Sequence, residues 1–278
     1  MRLSSLTIWY NPSLKEVKNI LSYSDNFDKV YIVDNSDLDN SELAKKINNA
    51  VYVPLMKNTG IAYALNRGFE RAISDGFDWV MTMDQDSVWE DEEIKKYLQW
   101  VEQITIENNN IVSLAPFAKV QNKSWAGVLL WPLVFKLTKR KGIDFVDRCF
   151  CSANIVSVKI WQKVGGFNEK LFIDDVDYDF CYKIRRQGYL IVLNNDIIFN
   201  HTIGGGKLTI LPRINNHSDF RLYYIMRNMM YIMKVYPEFA KKFHYRKDLF
   251  LLIADTCLFN KEHRKILKRA KNDLKTLL

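Results

Sequence analysis

Apolar positions in the first hundred residues alternate between short continuous runs and helical spacings. Leu3 to Tyr10 reads as a strand ended by Asn11 and Pro12, and Ser13 caps a helix to about Ser22. Val30 to Val33 is a second strand, closed by the turn chemistry of Asp34 to Ser41. Ser41 to Asn48 predicts a helix, Val51 to Pro54 a third strand, and Ile61 to Ser74 a helix entered through Asn58, Thr59 and Gly60. Trp79 to Met83 is the fourth strand. Repeated strand-helix-strand units of this length predict a parallel sheet covered by helices, with ligands gathering where strands end in loops.

The middle, from about Ile111 to Ile160, is less regular: Val112 to Pro116 is strand-like, a Trp-rich run spans 125 to 131, and Lys139 to Gly142 is a basic turn. After Phe172 an acidic helix begins and stops at Gly188. Tyr189 to Leu193 is another strand, followed by the loop NHTIGGGK. From His217 onward the pattern is helical, with aromatics spaced for packing. No internal repeat or low-complexity linker interrupts the chain.

Composition narrows the class. The 278 residues are 48% hydrophobic, enough for a sizeable core. The apolar stretch before Asn11 is too short for a signal peptide, and no run reaches the roughly 18 to 20 apolar residues of a membrane span, so the expectation is a cytosolic protein. Four cysteines (Cys149, Cys151, Cys181, Cys257) have neither zinc-site spacing nor the density of a disulfide scaffold, and are expected to be reduced core thiols. The net charge of +8 favours phosphates, nucleic acid or an anionic membrane surface. Its location matters more: from Lys234 onward twelve Lys or Arg face five acids, so that end carries seven of the excess charges.

Four constellations carry candidate chemistry. Asp84 and Asp86, one residue apart behind a buried strand, share a face and suit a hard cation such as magnesium or manganese; a solvated turn is the plain alternative. Asp34 ends the second strand, and Asn58, Gly60, Asn66 and Gly68 punctuate a helix start that either offers backbone N–H groups to an anion or is an ordinary loop. Asp174, Asp175, Asp177 and Asp179 crowd a helix start, where capping suffices for some of them and crowding helps a general base work near neutral pH. His201 is a metal-ligand candidate or a structural histidine. Arg221, Tyr224 and Arg227 fall on roughly one helical face suited to a diphosphate.

Taken in order, TIWYNP, VDNS, NTGIAYALNRG, WVMTMDQDS, FIDDVDYDFC, NHTIGG and HSDFRLYYIMRN resemble the family 2 inverting glycosyltransferases of the GT-A fold. The resemblance covers about residues 6 to 230 and is strongest to the bacterial rhamnosyltransferase branch, which builds capsule, O-antigen and cell-wall polysaccharides. It implies a Rossmann-like three-layer α/β sandwich with a mixed, mainly parallel sheet. A catalytic domain would span 1–228, with a nucleotide-binding half 1–115 and an acceptor-binding half 116–228, followed by a basic helical segment 229–278.

The resemblance also implies roles. Trp9, Tyr10, Asn11 and Asp34 would surround the nucleotide base, with Asp34 accepting its imide N–H, and Asn58, Gly60, Asn66 and Gln85 would lie along the nucleotide sugar. Asp84 and Asp86 would hold Mn²⁺ or Mg²⁺ on the diphosphate, assisted by His201. Asp177 would be the general base beside Asp174 and Asp175, and Arg221, Tyr224 and Arg227 would clamp the leaving diphosphate. Asp179, Phe180 and Lys183 stand where the branch usually has Glu, Trp and Arg, and Ser152-Ala153 where relatives often have Ser-Gly.

The implied reaction is a single inverting displacement from a nucleotide sugar, dTDP-L-rhamnose first, onto a hydroxyl of a growing or lipid-linked glycan. UDP-galactofuranose, UDP-glucose and UDP-galactose are alternative donors. A different class, a nucleic-acid or polyanion-binding protein, would explain the charge, but the basic residues cluster at one end and no common nucleic-acid recognition motif is present. That basic end is expected either to pack with a solvated face or to dock peripherally on the anionic inner leaflet. Oligomeric state stays open, a dimer included.

Overall fold

The computed structural model describes residues 1–120, 141–201, 218–257 and 260–278; the side chains of residues 119, 120, 200, 201, 255 and 257 fall outside that description. The Trp-rich run at 125–131, the basic turn up to Arg140 and the glycines after His201 lie outside the described residues.

Eight strands form one sheet: β1 Leu3–Trp9, β2 Val30–Asp34, β3 Ala50–Pro54, β4 Trp79–Asp84, β5 Ile111–Val120, β6 Ile143–Val146, β7 Asn154–Ser157 and β8 Leu190–His201. Their order is β3-β2-β1-β4-β7-β5-β8-β6. β1 to β4 pair in parallel, as do β5 and β8, whereas β7 runs antiparallel to β4 and β5, and β6 antiparallel to β8. The mixed, mainly parallel sheet is the one expected.

The helices are α1 Leu14–Leu21, α2 Ser41–Ala44, α3 Ile61–Ser74, α4 Asp91–Glu107, α5 Val158–Lys163, α6 Val176–Arg186, α7 Asp219–Val235, α8 Pro237–Lys242, α9 Tyr245–Cys257 and α10 Lys261–Leu277. Ser13 caps α1 in a reciprocal box with Glu16, as the sequence predicts. Apolar clusters cover both faces of the sheet, one containing Leu6, Phe69, Trp161 and Phe180, the other Trp9, Ile32, Tyr97 and Phe199. Complete burial of a side chain such as Phe69 contributes roughly 1.5–3 kcal/mol. Gly68 marks where α3 lies on β1: a Cβ there would stand 2.2 Å from a Leu6 methyl.

Several expectations change. The helix expected over Ser41 to Asn48 stops at Ala44, because Asn49 turns inward to donate to the carbonyls of Ser24 and Phe27 before β3 opens. β8 runs well past Leu193 to His201. A division at 115/116 cuts β5 and one at 228/229 cuts α7, and Ala240, Tyr245, Leu249 and Leu274 share the core that holds Leu6 and Phe180. The C-terminal helices thus share a hydrophobic core with the sheet.

Candidate active site

The parallel strands finish at one edge. Trp9 pairs with Asp34, Asp34 with Pro54, and Ile8 with Asp84, so the loops after β1, β2, β3 and β4 emerge side by side. The antiparallel β7 beside β4 interrupts the parallel run there, which opens a crevice at the strand ends.

Many of the residues expected along the nucleotide hydrogen-bond to one another's loops at this edge. Trp9 is wholly buried in the core, while Tyr10 is exposed. The Gln85 amide accepts from the Tyr10 N–H (2.7 Å) and donates to the Tyr10 carbonyl (3.3 Å), tying the β1 and β4 loops together. Asn11, at φ 49°, donates its N–H to Ser36 Oγ (2.8 Å).

Asp34 is almost fully buried and takes four donors: Ser36 N–H and Oγ on one oxygen, Asn40 Nδ2 and Tyr52 Oη on the other. A carboxylate has about four acceptor positions, so in this arrangement Asp34 orders its own loop. The expected free N–H groups at the start of α3 are also occupied. Thr59 N–H donates to Asn35 Oδ1, Gly60 N–H to Asn58 Oδ1 and Ile61 N–H to the Phe172 carbonyl. Asn66 is buried and fixes the 167–169 turn through Phe167 and Glu169.

The chemistry gathers in a cleft of about 600 Å³ whose polar lining includes Asp84, Asp174, Asp175, Asp177, Arg148 and Arg221. The Asp84 carboxyl is pushed up to about 7 by burial, and Asp86 adds to the shift. Asp177 is raised to about 7 by burial, with the Asp84 charge contributing, so these carboxylates from β4 and α6 sense one another across the cleft. Asp175 is likewise raised to about 7, first by burial and then by Asp177 and Asp174, against the lowering hydrogen bond from Tyr245 Oη (3.0 Å). Ser152 supports Asp84 from behind, accepting from its N–H at 3.1 Å.

The loop before α6 is strained. Phe172, Asp174 and Asp175 all have φ near +60°, which side-chain-bearing residues rarely adopt. Asp175 stands at the N-cap position without a side-chain capping bond, so capping does not account for the acidic run. The α7 helix holds the loop in place: Asn228 Nδ2, wholly buried, lies 2.8 Å from the carbonyls of Ile173 and Asp174, and Arg227 donates to those of Lys170 and Leu171. Gly60 completes the clamp, since a Cβ there would meet Phe172 at 2.6 Å. Asp179 points away from the cleft, accepting from Tyr236 Oη (2.9 Å) with Lys183 3.4 Å away. The shorter Asp-Lys pair thus keeps its ionic contact.

Of the three residues expected to clamp a diphosphate, Arg221 alone lines the cleft, where it grips Asp174. Arg227 is buried under the loop, and Tyr224 stacks on Phe172 at 4.8 Å. Their one-face spacing is real, but it serves the loop. Residues the motif reading missed are Arg148, Asn228 and Tyr245. Arg148 stacks on Phe243 and Tyr178, with its guanidinium carbon 3.9 and 4.6 Å from the ring centroids. Asn228 carried a signal, being a polar residue inside an apolar helical stretch; Tyr245 carried none.

A cation fits the donor chemistry at β4. Asp86 makes no hydrogen bond or ion pair within the described residues, and burial together with the Asp86 charge makes the Asp84 carboxyl hold its proton more tightly, a repulsion that a dication would relieve. Among the described residues no three His, Cys, Asp or Glu side chains form a metal cage, and the His201 side chain lies outside them.

The sequence profile described as "Glycosyl transferase family 2" matches residues 12–157, which begins just after β1 and includes β2, β3, β4 and β7. The chain belongs to glycosyl transferase family 2. The family assignment makes this protein a glycosyltransferase, and the inverting course fits the family. A dTDP-rhamnosyl transferase, RfbF of Shigella flexneri, is 27% identical over 98% of this chain and 93% of its own. Among solved structures, S. aureus TarS 1–349 in complex with UDP-GlcNAc superposes with a TM-score of 0.61 at 16% identity, over the whole chain and 81% of TarS. GalNAc-T7 with UDP, GalNAc and Mn²⁺ gives 0.62 at 13% identity, over 98% of the chain and 55% of that protein. At these identities the two structures establish the shared GT-A fold.

Proposed function

We propose that this family 2 enzyme transfers L-rhamnose from dTDP-L-rhamnose, with inversion, to a hydroxyl of a growing or lipid-linked glycan in surface polysaccharide synthesis. The observation that carries the reading is that Asp84 and Asp177 line one cleft, close enough for the Asp84 charge to help raise the Asp177 carboxyl. The rhamnosyl donor is supported by the likeness to the Shigella enzyme along nearly its whole length.

Asp177, in the first turn of α6, removes the proton from the acceptor hydroxyl as it attacks the anomeric carbon. Burial holds its proton affinity near neutral, where a base works best. Asp86 and Asp84 would hold a divalent cation that neutralises charge on the leaving nucleoside diphosphate. Arg221 and Arg148 add fixed positive charge in the cleft, and Tyr245 and Asn228 keep Asp175 and the strained loop in register with Asp177. No covalent sugar intermediate is required.

The test is nucleotide release from a panel of dTDP-rhamnose, UDP-galactofuranose, UDP-glucose and UDP-galactose with manganese and a glycan acceptor. Release of dTDP above the others supports the rhamnosyl reading; preference for a UDP-sugar moves the donor. Calorimetry that finds no binding of any of them would overturn the reading.

A further inference from the structure

The two faces of α9 differ in kind. Its inner face lines the cleft with Tyr245 and Asp248 and buries Leu249 in the core. Its outer face exposes Arg246, Lys247 and, one turn on, Phe250, which is 70% exposed. A lone exposed phenylalanine is ordinary on a soluble surface, but here it sits one turn from two exposed cations on a helix that forms a wall of the cleft.

The next helix, α10, is amphipathic. Ala270, Leu274 and Leu277 pack inward, and Lys261, Arg264, Lys268, Lys271 and Lys275 lie exposed along the opposite side. Within the described residues none of these five has a carboxylate partner; the acids of α10, Glu262 and Asp273, pair with Lys265 and Arg269. No described helix is long and apolar enough to cross a membrane. A cationic helical layer with an exposed aromatic side chain has the complementarity that an anionic bilayer surface recognises.

We propose that the outer face of α9, with the basic stripe of α10 as its electrostatic support, docks on an anionic lipid bilayer and inserts Phe250 at the headgroup level. This deepens the lipid-linked acceptor reading and rests on it only for its purpose. Docking through α9 sets the cleft beside the bilayer, where a lipid-anchored hydroxyl would be presented to Asp177.

The test is co-sedimentation of the full chain with phosphatidylcholine vesicles, with and without phosphatidylglycerol, in the absence of donor and acceptor. The expected result is binding to anionic vesicles only, weakened by salt. Each of Arg246→Ser and Lys247→Ser should lower the partition about fivefold, and Phe250→Ser should lower it further without changing the salt dependence. Dichroism melts confirm folding of each variant, and nucleotide release with a soluble acceptor should stay at the parent level, since these side chains point away from the cleft. Binding to neutral and anionic vesicles alike, no vesicle binding, or binding unaffected by all three substitutions overturns the proposal. Capture of random oligonucleotides without vesicle binding would assign the face to nucleic acid instead. Loss of nucleotide release in the unmodified chain would strike the transfer reading and leave the docking result standing.

Discussion

The guanidinium of Arg221 grips the carboxylate of Asp174, with Nη2 2.9 Å from one oxygen and Nε 3.2 Å from the other. The pair links α7 to the strained loop that delivers Asp177, and it neutralises one of the three acids crowded there. A planar fork is required for two contacts on one carboxylate. Arg221→Lys is therefore predicted to recover little of the activity lost in Arg221→Met. Steady-state kinetics should show the loss mainly in kcat, and full rescue by lysine would show that charge alone suffices.

Asn228 is predicted to matter as much for stability as for rate. Asn228→Ala leaves buried carbonyls of the loop without their donor, a cost of about 1–3 kcal/mol for a group so desolvated. For a chain of this size that corresponds to a fall in Tm of roughly 2–5 °C. Thermal melts read this directly, and an unchanged Tm would remove Asn228 from its supporting role.

Asp175 and Asp177 both bind protons more tightly in the fold, near 7, than at their ordinary 3.8. Between those values the folded chain holds more protons than the unfolded one, so their effect on stability is most favourable at the acid end and is lost as pH rises through about 7. The ligand-free enzyme should melt lower at pH 8 than at pH 6, and Asp175→Asn should flatten that slope. Catalysis follows the opposite sign, because the base works deprotonated: kcat/KM for the acceptor should rise with pH and level off above about 7.

Much of this architecture was legible in the chain because apolar spacing is local. Ile61–Ser74 and Trp79–Asp84 lie where the pattern puts them, and the Ser13 box with Glu16 is a four-residue signal. The residues within the cleft were legible as motifs: Asp84, Asp177 and Arg221 meet there. What escaped was the division of labour. Asp34 and Arg227 match the motif, yet their partners are the 34–40 loop and the carbonyls of Lys170 and Leu171, and Tyr245 comes from a helix some seventy positions beyond Asp175. Such contacts depend on tertiary packing, which no spacing rule records.

The two acids after β4 should separate on metal titration. Asp86 has no protein partner within the described residues and is the better placed direct ligand, whereas the backbone of Asp84 is anchored to Ser152. Asp86→Ala is predicted to weaken manganese binding, measured by calorimetry with dTDP present, more than Asp84→Ala does. The reverse order would exchange their roles.

The central claim is that Asp177 removes the acceptor proton, and Asp177→Asn tests it most directly because it keeps the shape and removes the basicity. Single-turnover transfer from the bound donor should fall by about 10²–10⁴-fold while dTDP binds as in the parent. Transfer at the parent rate in Asp177→Asn, with binding intact, would contradict the account.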